Sequence, residues 1–178
     1  RAIRIAGQLS FSIEDKTTKV MERDCALITE VSAERVREEL MKTLATSDIG
    51  KSLRLMDKVG LFSFLVPELT EGKGVLQPKE HHWDVFHHSI NSAVMAGKIL
   101  QNTSDLGFVR TNVPEFPEMD MYFKEKISDG QTRLTFLKFT ALLHDIGKPK
   151  TRTEDSSGKI RFLTHSEVGS KIANDIMG

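Results

Sequence analysis

The sequence contains a single cysteine, Cys25, so no disulfide can close within the chain, and a lone thiol suits a reducing compartment. It lacks an excess of either charge: 25 lysines and arginines stand against 25 aspartates and glutamates. No global field therefore draws in a polyanion, and any nucleic-acid binding must use local patches. No apolar run approaches the ~20 residues of a membrane span, and no signal peptide is visible, so a cytoplasmic location without a membrane partner is expected. Internal repeats and low-complexity tracts are absent too. What is present is enough hydrophobic sequence, 39%, for a folded core in one domain or two small ones. The chain opens at Arg1 inside a helical pattern and stops at Gly178 in or just after another, which reads as a fragment of a longer protein. Its oligomeric state is not legible.

The stretch Leu134 to Lys150, LTFLKFTALLHDIGKPK, organises the remainder. Apolar residues at 136, 137, 139, 141, 142, 143 and 146 leave little polar face, the pattern of a buried helix. Gly147, Lys148 and Pro149 are expected to stop it. His144 and Asp145 fall in its last turn, where a buried imidazole and carboxylate each require a partner. A divalent metal satisfies both; a His–Asp hydrogen bond capping the helix is the ordinary alternative.

Before this stretch the chain reads as short helices. Ile3, Ala6 and Leu9 or Ser10 suggest a helix end, followed by an extended piece at Phe11 and Ile13. Arg1 and Arg4 lie one turn apart, a spacing that suits phosphate contact or two solvated side chains. A helix is expected over 17–29 with Val20, Met21, Cys25 and Ile28 inward. Ser32 is the expected N-cap of a helix whose inner stripe is Val36, Leu40 and Leu44. Asp48 opens another, with Ile49, Leu53, Met56 and Val59 inward and Gly60 as its stop, and an apolar turn then ends at Pro67.

RAIRIAGQLSFSIE, VSAERVREELMKTL and GLFSFLVPEL, in that order, resemble the neck region of the bacterial tRNA nucleotidyltransferase and poly(A) polymerase family, whose wording is close to RAxRFAxQLxFxIE, ISxERIxxEL and a Pro-Glu-Leu helix end. The resemblance covers nearly all of residues 1–70. It implies a helical neck that helps to hold the incoming nucleotide and the tRNA acceptor end. The family's catalytic head, with its Gly-Ser motif, paired metal-binding carboxylates and nucleotide-reading acidic-Asp-x-x-Arg motif, is not represented here.

Residues 71–83 read as a linker, and Asp84 as the N-cap of the helix VFHHSINSAVMAGKIL. One stripe holds Phe86, Ile90, Ala93, Val94 and Gly97; His88, Met95 and Ile99 line a second covered face, with His87 wetter. Residues 101–133 read as an insertion, with a short helix from Pro117 to about Ile127. After the buried helix, alternation around EDSSG predicts a small hairpin. Lys148, Lys150, Arg152, Lys159 and Arg161 form a local basic patch there. Thr164 and Glu167 suggest a capping box for a last helix with Val168, Ile172 and Ile176 inward and Gly169 at a close contact. His165, in its positive first turn, is disposed to be neutral.

LLHDIGKP resembles the signature of the HD phosphohydrolase superfamily, in which adjacent His and Asp share one metal. DVFHHS and THSEVGSKIA are similar to that family's DVxxHxL and FxxHExxGAxxA segments. The resemblance implies metal ligands His88, His144 and Asp145, and catalytic roles for Asp145, Lys148 and His165. Lys148 and His165 would face the phosphate while the metal acidifies water and polarises a phosphoryl oxygen. A fourth ligand from a later helix has no good candidate, since Asp175 shares the helix of His165. An imidazole-rich site prefers Ni²⁺, Co²⁺, Mn²⁺ or Zn²⁺ over Mg²⁺.

The expected fold is thus mostly all-α: a helical neck over 1–70, a linker over 71–83, and an HD-type helical domain over 84–178 with one small β-hairpin. The expected protein is a piece of a tRNA nucleotidyltransferase or poly(A) polymerase family member. Its missing head would use ATP and CTP with Mg²⁺ to extend a tRNA or other RNA 3′ end. Its HD part would be a metal-dependent phosphohydrolase. Weak RNA or phosphate contacts are expected at Arg1, Arg4, Lys148, Lys150 and Arg152. Two rivals are a stand-alone HD phosphohydrolase and a non-enzymatic RNA-holding module with a vestigial HD site.

Overall fold

The computed structural model describes residues 1–77, 83–100 and 113–177. Part of the expected linker (78–82) and of the expected insertion (101–112) lies outside the described residues. The fold is mostly α, with two small antiparallel hairpins. In chain order come α1 (Ala2–Leu9), α2 (Asp15–Arg23), a 3₁₀ helix (Cys25–Glu30), α3 (Ala33–Leu44), α4 (Ile49–Lys58), α5 (Phe62–Leu65), α6 (Pro67–Thr70) and α7 (Val85–Gly97). There follow α8 (Met119–Lys124), β1 (Lys126–Ser128), β2 (Gln131–Thr132), α9 (Arg133–Leu143), α10 (Lys148–Thr151), β3 (Arg152–Glu154), β4 (Ile160–Phe162) and α11 (His165–Met177).

Side-chain caps open three of the helices, whereas Ser32 stands at the N-cap position of α3 without a side-chain cap bond. The Asp48 carboxylate accepts from the Gly50 amide at 3.1 Å to open α4. Asp84 accepts from the His87 amide at 2.8 Å to open α7, and the Thr132 hydroxyl accepts from the Thr135 amide at 3.2 Å to open α9. Gly60, at φ +76°, ends α4 in the left-handed region that glycine adopts without a Cβ penalty.

Several expectations need correction. The helix expected over 17–29 breaks after Arg23 into the 3₁₀ turn, and Val20 is 47% exposed. Pro67 begins α6 instead of ending the preceding turn, because proline's missing amide costs nothing at a first helical position. Pro149 does the same for α10, and α9 itself stops at Leu143. Met95 is exposed, so α7 has one covered face and a part-covered one. The expected capping box at Thr164 does not form: its φ of +63° departs from N-cap geometry, and its hydroxyl donates to the Leu163 carbonyl at 2.6 Å. The EDSSG hairpin is present, with Arg152 opposite Phe162 and Glu154 opposite Ile160. A second hairpin, β1–β2, stands within the stretch read as an insertion.

One hydrophobic cluster runs through the chain. Leu44, Leu53, Met56 and Phe62 from the first 70 residues share it with Phe86, Leu142 and Ile146. Phe62 and Phe86 meet edge to face with ring centroids 5.7 Å apart. α9 packs chiefly along α7, which brings the end of α9 beside the first turn of α7.

Candidate metal centre

The site forms where α9 ends. Leu142, Leu143 and Ile146 are buried and anchor the turn on both sides of His144 and Asp145. The turn is tightened by the Ile146 amide donating to the Leu143 carbonyl at 3.0 Å and the Lys148 amide donating to the Asp145 carbonyl at 2.9 Å. Asp145 is buried, 4% exposed. His144 is not: it caps α9 from an exposed position, contrary to the expectation of a buried pair.

Three cationic or imidazole groups converge on one carboxylate oxygen. Asp145 Oδ2 lies 3.0 Å from His144 Nε2, 3.4 Å from His88 Nε2 and 2.8 Å from Lys148 Nζ. Asp145 Oδ2 is thus a buried acceptor engaged through ion-pair contacts and not through well-aligned hydrogen bonds. The ring of His144 is oriented from behind: its Nδ1 lies 2.8 Å from the Ala141 carbonyl, which can only accept. Nδ1 therefore carries the proton and Nε2 faces Asp145. His165 is held the same way, with Nδ1 2.7 Å from the Phe162 carbonyl and Nε2 3.8 Å from Asp145 Oδ1. Backbone carbonyls behind the rings fix tautomer and aim, as around many histidine metal sites.

Electrostatics agree. Burial by itself pushes the Asp145 carboxyl up, but the neighbouring His144 imidazole and Lys148 ammonium more than offset this and hold it well below the usual carboxylate range. The same carboxylate raises the His144 imidazole against the opposing effect of burial. Ligand atoms of His88, His144 and Asp145 all lie within 4.8 Å of one another. The donor set, two imidazoles and a carboxylate around an unsatisfied oxygen, fits a divalent metal.

The position of His165 depends on a close backbone crossing. A Cβ on Gly147 would overlap the His165 carbonyl oxygen and fall 2.6 Å from the Gly169 amide nitrogen, so α11 reaches the turn after Asp145 because Gly147 carries no side chain. Asp175, on the same helix, is exposed and outside the cluster.

The basic residues are largely engaged by acids. Lys148 turns inward, with Gln77 Oε1 2.6 Å from its Nζ. Lys150 lies 4.0 Å from Glu71, Arg152 pairs with Glu154 at 2.8 Å, and Arg161 with Asp155 at 3.3 Å. In the first helices Arg4 is mostly buried against Glu39, 2.9 Å away, while Arg1 is exposed and 3.8 Å from the same carboxylate. Both arginines line a cavity of about 280 Å³ walled by Ile3, Val36, Leu40 and Met56. Gln77 is the site residue that sequence reasoning missed. It sits in what reads as a linker, 71 positions from Lys148, and carries no local signal of its role.

The chain belongs to the HD-domain family, whose family model matches residues 85–178. A second family model, described as "Probable RNA and SrmB-binding site of polymerase A", matches residues 10–73. Together the two models cover residues 10–73 and 85–178. The chain is 27% identical to an A-adding tRNA nucleotidyltransferase of Deinococcus radiodurans over 99% of its own length and 35% of the relative's. It is 31% identical to a CC-adding tRNA nucleotidyltransferase of Thermus thermophilus, over 97% of this chain and 34% of that one. A multifunctional CCA protein of Neisseria gonorrhoeae is 28% identical over 85% of this chain and 30% of its own. The chain thus spans about a third of the length of these relatives. Their match runs through the first 70 residues as well as the HD part, which disfavours a stand-alone HD protein with an unrelated N-terminus.

Proposed function

We propose that this chain is the neck and HD portion of a tRNA nucleotidyltransferase, and that its HD site is a metal-dependent phosphohydrolase acting on phosphomonoesters or cyclic phosphodiesters. The observation that carries the HD reading is the convergence of His88 Nε2 and His144 Nε2 on the buried, unsatisfied Oδ2 of Asp145. These three residues would hold the ion, with Ni²⁺, Co²⁺, Mn²⁺ or Zn²⁺ preferred to Mg²⁺ by the imidazole content. When bound, the ion supplies Lewis acidity toward a phosphoryl oxygen and acidifies water. The residues of the chain do the remainder. Asp145 brings the negative charge that draws the cation in. Lys148 presents an ammonium to a phosphate oxygen. His165, its Nδ1 donating to the Phe162 carbonyl at 2.7 Å, presents Nε2 to the site as a proton acceptor.

The whole protein, on this reading, extends a tRNA 3′ end in the cytoplasm with ATP or CTP and Mg²⁺ bound in its head. The neck would contribute RNA contact through Arg1 and Arg4, with weaker help from Lys148, Lys150 and Arg152. The segment is similar both to an A-adding and to a CC-adding relative, which supports placing nucleotide choice outside it. A vestigial, RNA-holding HD site is the second reading, favoured by the three-ligand cluster.

Calorimetric titration with Ni²⁺ tests the metal centre. Wild type should bind, and His144→Ala should lose binding while keeping its fold, since α9 is held by Leu142 and Leu143. Equal binding by both would leave His144 and Asp145 as a structural pair. Hydrolysis of a cyclic phosphodiester by the Ni²⁺- or Mn²⁺-loaded chain separates the enzyme from the vestigial site.

A further inference from the structure

Lys148 is held from several sides. Its Nζ lies 2.8 Å from Asp145 Oδ2, donates to Gln77 Oε1 at 2.6 Å, and stands 5.4 Å from the centroid of the Phe162 ring. Gln77 is itself buried, 7% exposed, and its amide donates to the Trp83 carbonyl at 3.4 Å. A buried glutamine with both ends of its amide engaged is fixed in orientation. It aims a neutral acceptor at the Lys148 ammonium beside the carboxylate.

We propose that Gln77 is a positioning residue for the HD site: it holds Lys148 as a built-in counter-cation of Asp145, and so sets how tightly a divalent metal binds. The inference rests on the metal reading above. A metal ion held by His88, His144 and Asp145 would lie beside the Lys148 ammonium on the same carboxylate, and two cations at one carboxylate repel strongly in a part-buried site. Metal binding is therefore favoured by movement of Lys148 away from Asp145, and the Gln77 bond opposes that movement. Once displaced, Lys148 is available to a phosphate group, so the same movement links metal loading to substrate binding.

The test is Ni²⁺ titration calorimetry on wild type, Lys148→Met, Gln77→Leu and the double variant. Lys148→Met should bind Ni²⁺ about tenfold tighter or more, because the competing charge is gone. Gln77→Leu should tighten binding about threefold in the presence of Lys148 and not at all in its absence, a non-additive cycle. Should Gln77→Leu fold poorly, Gln77→Met provides the same loss of acceptor. Unchanged or weaker binding by Lys148→Met overturns the counter-cation role. Equal tightening by Gln77→Leu in both backgrounds shows that Gln77 acts through packing, and no effect in either removes it from the site; both overturn the proposal. Absence of Ni²⁺ binding by all four proteins overturns the metal centre itself, whereas equal binding by all four overturns this inference alone.

Discussion

The ammonium of Lys138, on α9, donates to the carbonyl of Leu44 at the end of α3, 94 positions away, over 2.9 Å. A second bond of 2.8 Å reaches the Thr46 carbonyl. Lys138 is 2% exposed, so a cation from the HD part is buried against the negative end of a neck helix. Burial pushes its pKa down from 10.5 to about 8. In the unfolded chain the group titrates at its ordinary value, so between about 8 and 10.5 the unfolded state binds more protons. Stability contributed by this group therefore rises with pH across that window. In chemical denaturation at pH 8 and pH 10, wild type should gain about 2–3 kcal/mol relative to Lys138→Met. A difference between the two proteins that stays flat with pH would show that Lys138 titrates normally.

The crossing of Gly147 and Gly169 predicts an asymmetric sensitivity. A Cβ at Gly147 would overlap the His165 carbonyl oxygen and lie 2.6 Å from the Gly169 amide nitrogen, backbone that cannot move aside, whereas one at Gly169 has its nearest neighbour at 3.3 Å. Gly147→Ala should cost about 1–3 kcal/mol, and Gly169→Ala clearly less. Thermal unfolding should show a fall of roughly 5 °C for the first variant. Gly147→Ala should also weaken Ni²⁺ binding, because the displaced backbone carries Asp145. Equal melting of the two variants would remove the crossing as the constraint.

RNA binding by this chain should be weak and should fall steeply with salt, since it rests on a few local cations that acids already engage. Glu154→Gln releases Arg152 and should tighten binding of a tRNA acceptor-stem RNA by about two- to fivefold at low salt. Fluorescence anisotropy at two salt concentrations measures both. Affinity independent of salt, or unaffected by Glu154→Gln, would place the RNA contact elsewhere.

Purified chain should add no nucleotide to tRNA, because the Gly-Ser motif and paired carboxylates of the family's head are not among its residues. Labelled ATP or CTP appearing at a tRNA 3′ end in reactions with the chain alone would overturn that expectation.

Local sequence determined the helices and the chemistry of the HD turn. The caps at Asp48 and Asp84, the stop at Gly60 and the inward row Ile49, Leu53, Met56 and Val59 are short-range signals, each set within one or two turns. His144, Asp145, Gly147 and Lys148 are likewise neighbours in one string, so their grouping needs no fold. Short signals failed where two local rules compete, as at Pro67 and Pro149, since proline ends one helix and begins another with the same ring. Tertiary structure alone decided the rest. Lys138 reads as the polar exception on an apolar helix and becomes a buried cap only because the end of α3 lies against it. Gln77 enters the site across 71 positions, and His165 reaches Asp145 through a glycine crossing between α11 and the HD turn. Contacts of that separation are made by packing whole elements, and packing leaves no periodicity in the residues that it brings together.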